Sequence, residues 1–240
     1  MRWGEGKLDF AVGSPSPYHF DFAPIWAHRD LLMAGLLRTI AVSAVALALA
    51  LLLGTSVGTL ATARARAWRL AASIFVEMTR NVPLLIHLYL WYVGLAFLRL
   101  PPFLCAVLGL AIYSAAYVGE IVRAGIAAVP RGQSEAALAL GLSRGKALRL
   151  VVYPQAFRII APSLAGLFSQ LIKDSSLASV ITVGELSFAA SAIESETFRS
   201  FEIYITVALL YLALVTAASR LVLLFPGAHR PALQVGFADA

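Results

Sequence analysis

Uncharged apolar runs about twenty residues long recur along this chain, and they decide the solvent in which it folds. A bilayer core of about 30 Å is crossed by about 20 apolar residues in a helix. The stretches near 31–60, 70–98, 102–125, 158–183 and 201–224 each reach that length between charged punctuation. Of the 240 residues, 60% are apolar and 13% charged, which is more hydrophobic surface than one water-soluble domain of this length hides. The sequence therefore predicts an all-α integral membrane protein of about five transmembrane helices. Its membrane part spans 31–225, preceded by a segment at 1–30 and followed by a tail at 226–240. The first segment carries Trp3, Tyr18, Phe20, Phe22 and Trp26 among Asp9, Asp21 and Asp30. It lacks the basic start and apolar run of a signal peptide, and reads either as an extracytoplasmic interfacial segment or as a disordered tail.

Positive charge collects in cytoplasmic loops, so the connections can be sorted by their arginines and lysines. Arg64, Arg66 and Arg69 follow the first span, and Arg131, Arg144, Lys146, Arg149 and Arg158 lie between the third and fourth. The alternate connections carry Arg99 alone, or Arg199 against Glu185, Glu194, Glu196 and Glu202. With five spans, this pattern predicts an N-terminus outside and a C-terminus, with Arg230, in the cytoplasm. The formal charge of +6 is spread over loops and favours anionic lipid or an acidic partner face. No basic stripe with interleaved aromatics stands clear of the membrane, which argues against nucleic acid. Cys105 is the single cysteine, so an internal disulfide and a cysteine metal cluster are excluded, and no metal site is expected.

The longest connection, 126–157, reads as patterned helix. Gln133 or Ser134 can cap a helix start after Pro130 and Gly132, with Glu135 in the first turn, where an acid offsets the helix dipole. Ala136, Ala137, Leu138 and Leu140 supply a small apolar face, and Gly141 can end the helix in a left-handed turn. A second helical stretch, Ser143 to Val152, is expected to stop at Tyr153-Pro154. Two short helices with small residues and flanking charges suit a groove on another protein.

The spacing of Glu135-Ala136-Ala137, Gly141, Val151, Tyr153 and Pro154 resembles the cytoplasmic signature of importer permeases of the ATP-binding-cassette superfamily, with Tyr153 in place of the usual leucine. The similarity extends over roughly 35–225 and narrows to the permeases for polar amino acids. It is carried by Glu77-Met78-Thr79-Arg80-Asn81-Val82-Pro83-Leu84-Leu85, Val129-Pro130-Arg131-Gly132-Gln133, Tyr153-Pro154-Gln155-Ala156-Phe157-Arg158 and Lys173-Asp174-Ser175-Ser176-Leu177. The resemblance implies a binding-protein-dependent importer in the bacterial inner membrane. Its parts would be two permeases, identical or related, two ATPase subunits and an extracytoplasmic amino-acid-binding protein. Gln133, Glu135, Ala136, Ala137, Gly141 and Pro154 would couple to the ATPase, whose closure would rock the spans between inward-open and outward-open states. The Arg80-to-Pro83 and Pro130-to-Gln133 variants lean toward glutamate/aspartate or general amino-acid systems. The chain itself is expected to be no enzyme and to bind no cofactor. Gly141-Leu142-Ser143-Arg144-Gly145-Lys146-Ala147 has three intervening residues where a phosphate-binding loop needs four, and Ala147 where a magnesium-binding hydroxyl belongs. ATP and magnesium are left to the partner.

Ionisable residues at membrane depth cost about 2.5–3.5 kcal/mol each on insertion scales, so each is a candidate for function or pairing. Glu77 with Arg80, and Glu120 with Arg123, are spaced i, i+3. They either neutralise each other or serve substrate and gating. Lys173, Asp174, Ser175 and Ser176 interrupt the fourth span with a cation, an anion and two hydroxyls, the mixture a zwitterion needs. The alternative there is an interhelical hydrogen-bond network. His87, Trp91 and Tyr92 read as packing and interfacial anchors, and Arg38 and Arg220 as snorkelling arginines. Repeated halves of a secondary transporter, a channel filter and hydrolytic motifs are not found, although Glu120, His87 and Asp174 can be drawn into a hydrolytic site on paper. A structural partner permease that does not bind substrate remains the closer alternative.

Overall fold

The computed structural model describes residues 18–223; the start of the predicted N-terminal segment and the whole tail at 226–240 lie outside the described residues. Helices α1 (Ala23–Ala27), α2 (Arg29–Ala61), α3 (Arg66–Arg80), α4 (Leu84–Tyr89) and α5 (Pro102–Ala128) form the first half. Helices α6 (Arg131–Ala139), α7 (Arg144–Ala147), α8 (Tyr153–Asp174), α9 (Leu186–Thr197) and α10 (Ser200–Leu223) follow. Among the described residues, four helical stretches are long and apolar enough to cross a membrane: Arg29–Ala61, Pro102–Ala128, Arg144–Ile181 and Ser200–Arg220.

The second expected span, 70–98, is not one continuous helix. Asn81 ends α3, and Pro83, which has no N–H to give, opens α4. The apolar piece Leu84–Gly94 ends in a π-helical turn, Leu90–Gly94, before a 3-10 turn at Ala96–Leu98. Arg99 follows in the left-handed region.

Helix α2 packs on α5 along its small residues. Thr39, Ser43, Ala46, Ala50, Gly54 and Gly58 recur at helical spacing and are buried. A Cβ at Gly54 would sit 2.6 Å from the Ala115 carbonyl oxygen, and one at Gly58 2.5 Å from that of Gly119. Only glycine allows this approach. Between apolar helices in lipid, dispersion contact of this kind supplies the attraction that water would otherwise drive. Val42, Leu88, Cys105, Leu110, Leu171 and Ile181 fill the main core beside this seam.

The 126–157 connection holds one confirmed detail and two corrections. Gly141 adopts φ 83°, with Gly141 N–H donating to Leu138 O at 2.9 Å and Leu142 N–H to Ala137 O at 3.1 Å, so α6 ends in a left-handed turn as expected. Its start lies earlier than expected: Pro130 stands at the N-cap, and the Ser134 hydroxyl bonds back to Arg131 O at 2.8 Å without capping the helix. The second stretch does not stop at Tyr153-Pro154. It passes through a π-helical turn, Leu148–Val152, directly into α8. In the wider turn the Tyr153 N–H donates to Leu148 O, one residue before Pro154, which has no N–H to give.

The connection between the last two spans holds an unexpected helix, α9. Leu186, Ala189, Ala190 and Ile193 are buried on it and pack with Leu32, Ile203 and Val207.

Candidate functional site

Helix α3 contributes Glu77 and Arg80 and helix α5 contributes Glu120 and Arg123 to one cavity of about 460 Å³, walled on the third side by Val57 of α2. Four residues singled out from sequence thus share a space, but their pairing differs. Arg123 holds Glu120 in a two-pronged ion pair, Nε to Oε1 at 3.0 Å and Nη2 to Oε2 at 3.1 Å. At the same spacing, Glu77 and Arg80 form no ion pair. The Ser73 hydroxyl donates to Glu77 Oε1 at 3.1 Å, and the Arg80 guanidinium lies over the Tyr117 ring, 5.1 Å from its centroid. One carboxylate in the cavity is therefore neutralised, while the Arg80 cation is left to an aromatic face.

Tyr117 leads deeper. Its hydroxyl meets that of Tyr113 at 3.0 Å, and Tyr113 stacks edge-on against His87 at 5.7 Å. His87, assigned no role from sequence, turns one ring nitrogen to Thr79 O at 3.2 Å.

The interruption of the fourth span is real, and its members point apart. Asp174 ends α8 and accepts from Gln170 Nε2 at 2.8 Å. Lys173 is exposed. Ser175 is buried, its hydroxyl returning to Ile172 O at 2.7 Å, and Ser179 bonds back to Ser176 O at 2.7 Å. These returns over three residues compete with the α pattern; the chain tightens into a 3-10 helix, Ser175–Ile181, which ends at Thr182 in the left-handed region, φ 63°. That conformation is costly for a β-branched residue and marks this junction as strained.

The proposed coupling face is open. On α6, Gln133, Glu135 and Ala136 are exposed and Leu140 is 84% exposed, while Ala137 turns inward. Gln155 Nε2 reaches Gln133 Oε1 at 3.4 Å, and the Tyr153 hydroxyl hydrogen-bonds to Thr59 of α2. The departure from leucine at Tyr153 thus acquires a partner.

Two carboxylates that had been counted only as loop charge prove fully buried. Glu185 caps α9, accepting from Phe188 N–H at 2.8 Å and Ser187 N–H at 2.9 Å, from the Tyr211 hydroxyl at 2.8 Å and from Thr39 Oγ1 at 3.4 Å. Arg38, expected to snorkel, instead donates to Gly184 O at 3.2 Å. Glu202 accepts from the Tyr18 hydroxyl at 2.5 Å and Asp21 N–H at 2.9 Å, beside Arg199 at 3.7 Å. This carboxylate raises the Tyr18 phenol above its ordinary value and ties Tyr18–Asp21 to the start of α10. Sequence offered no capping signal for Glu185, because glutamate is not among the residues preferred at a helix N-cap.

Long apolar helices, a broken span and an exposed helix on the arginine-rich face define a multi-spanning subunit of a membrane transport assembly. The chain belongs to the family of binding-protein-dependent transport system inner membrane components, whose model matches residues 50–227. It is 36% identical over 204 residues to the glutamine transport system permease protein of Escherichia coli (strain K12), covering 83% of this chain and 93% of that one. It is 33% identical over 224 residues to the octopine transport system permease protein of Rhizobium radiobacter, covering 88% and 91%. Among solved structures, it matches the crystal structure of an amino acid ABC transporter with histidines with a TM-score of 0.78 and 37% identity, over 87% of this chain and 98% of that one. The inward-facing MetNI methionine ABC transporter matches with a TM-score of 0.70 at 20% identity, which shows the shared fold. Permeases of this kind are not enzymes, and the ATPase sits on a separate chain.

Proposed function

We propose that this chain is the permease of an ATP-driven importer that moves polar L-amino acids from a binding protein into the cytoplasm. The observation that carries this reading is the shared cavity of Glu77, Arg80, Glu120 and Arg123, with the Tyr117 ring under Arg80 and the Tyr113 hydroxyl bonded to that of Tyr117. A zwitterion needs one group of each sign along its way, and this cavity supplies both. Arg80, held only by an aromatic face, is the natural partner of a carboxylate. The relatives that transport glutamine and octopine support those cargo classes; the lean toward glutamate/aspartate finds no support in them. Glutamine is therefore the first substrate to try.

In this reading Glu135, Ala136 and the exposed end of α6 seat in an ATPase groove, with Gln133, Ala137, Gly141 and Pro154 fixing the shape of that element. The arginine-rich face then lies in the cytoplasm, the N-terminus outside and the C-terminus inside. A second permease, identical or related, completes the pathway. A non-binding structural partner is the alternative. The test expresses the chain with its neighbouring genes, isolates what co-purifies, and measures uptake of an amino-acid panel. An ATPase lost in Glu135→Arg, together with glutamine uptake abolished in Arg80→Gln, is the expected result. A permease that comes out folded and alone contradicts the coupling role. Uptake unchanged in Arg80→Gln removes this chain from the path and leaves the structural-partner reading.

A further inference from the structure

A second cavity, of about 920 Å³, lies behind α6, between that helix and the ends of α2 and α5. Its charge is all of one sign. Arg64 enters it from the turn before α3, Arg69 from α3, Arg131 from α6 and Arg144 from α7, and no aspartate or glutamate lines it among the described residues. None of the four is in an ion pair recorded among those residues. Arg69 is held in place by donating to Ala63 O at 2.9 Å and Arg64 O at 2.7 Å; no side-chain hydrogen bond occupies the guanidinium of Arg64, Arg131 or Arg144 among the described residues. All four are exposed, so water and counterions screen them in the free chain; an anion seated among them would meet several cations and no opposing carboxylate among the described residues.

We propose that this cavity binds the headgroup of an anionic phospholipid. Three observations favour lipid over a soluble anion. The cavity stands where the apolar helices α2 and α5 end, at Ala61 and Ala128, and Trp68, the chain neighbour of the lining residue Arg69, is 56% exposed, an indole of the kind that anchors at a membrane interface. Its remaining wall combines the aliphatic Leu60, Ile126, Val129, Leu138 and Val152 with the hydroxyls of Thr59, Thr62 and Ser134, which suits a headgroup with its glycerol and the first methylenes of acyl chains. Among the described residues no aromatic ring lines it against which a nucleotide base could stack. Basic pockets at helix ends are the kind of site in which anionic headgroups are held.

The consequence concerns coupling. Ser134 and Leu138 of α6 face this cavity, whereas Glu135 and Leu140 are exposed, so a headgroup here would back the helix proposed to dock the ATPase. Arg69 also borders the cavity of Glu77 and Arg80, which links lipid occupancy to that space. This consequence rests on the coupling role proposed for α6; the lipid site itself does not.

The test measures lipid retained by the complete purified complex, read by native mass spectrometry after exchange into detergent containing phosphatidylglycerol or phosphatidylcholine. The complex is expected to hold phosphatidylglycerol in preference. Each arginine near an anionic headgroup contributes about fivefold, so Arg64→Gln with Arg144→Gln should weaken retention about 25-fold. Arg66→Gln, outside the cavity, should leave retention unchanged. Equal retention of the two lipids, or of phosphatidylglycerol in the double variant, overturns the proposal. So does saturation by inorganic phosphate alone, which identifies a soluble anion as the ligand. Loss of the ATPase from the double variant with lipid still bound assigns these arginines to the protein interface and overturns it as well. Because retention is read without transport, failure of glutamine uptake leaves this result standing.

Discussion

Two connections between long helices carry most of the glutamates outside the spans, and the fold treats them in opposite ways. In the 126–157 connection Glu135 stands exposed on α6, where it touches nothing that the fold needs. In the connection before α10, Glu185 is fully buried and gathers donors from α2, α9 and α10. The first carboxylate is a handle presented to another molecule; the second is a pin that closes the bundle on itself. Charge counted along a sequence does not separate these roles. Donors do: a buried carboxylate survives only where hydrogen bonds replace its hydration.

The comparison breaks first at Glu185. Glu185→Ala removes the acceptor for two backbone N–H groups and two hydroxyls in a dry site, and should destabilise the folded permease by about 3 kcal/mol or more. Thermal unfolding in detergent measures this, and a loss below about 1 kcal/mol would show the pin to be dispensable. Tyr211→Phe takes away one of the four donors and leaves the ring in place, so about 1 kcal/mol is expected in the same assay. Because the phenol is also shared with Ser187 at 3.1 Å, a double variant with Ser187→Ala should cost less than the sum of the two single changes.

This asymmetry also explains what the sequence could reveal. Helices α2, α5 and α10 follow from apolar length alone, which is the one property a bilayer demands of them. The exposed face of α6 was legible because small residues, a glutamate and a terminal glycine are local signals, and Gly141 takes the left-handed turn that its type permits. Helix α9 was hidden because its twelve residues are too few to span a membrane and its polar residues resemble loop chemistry; burial on Leu32 and Ile203 makes it a helix of the core. The cavity could be guessed only as residues. That Glu120 keeps its i, i+3 arginine while Glu77 does not depends on Ser73 and on the Tyr117 ring, and Tyr117 belongs to a helix that no spacing rule connects to α3.

Tyr153 sharpens the contrast within the first connection. It stands where the resemblance expects leucine, yet its hydroxyl bonds to Thr59, tying the root of the α6–α7 element to the end of α2. Tyr153→Phe keeps the packing and cuts that tie, so it should cost about 1 kcal/mol or less. If the tie transmits force from α6 to α2, ATP hydrolysis per substrate imported should rise in this variant. An unchanged ratio would reduce the bond to local packing.

The smallest effect on stability is expected at Glu135, and for that reason it is the most informative. Glu135→Ala removes no recorded side-chain contact, and alanine favours helix at least as well as glutamate, so unfolding should shift by no more than about 0.5 kcal/mol. Any loss of transport in this variant must then come from what α6 meets outside the chain. The companion measurement is co-purification of the ATPase, which should weaken for Glu135→Ala and fail for Glu135→Arg, while both variants unfold like the parent. A large stability loss at Glu135 would mean that α6 is held by the permease itself, and the division between handle and pin would collapse.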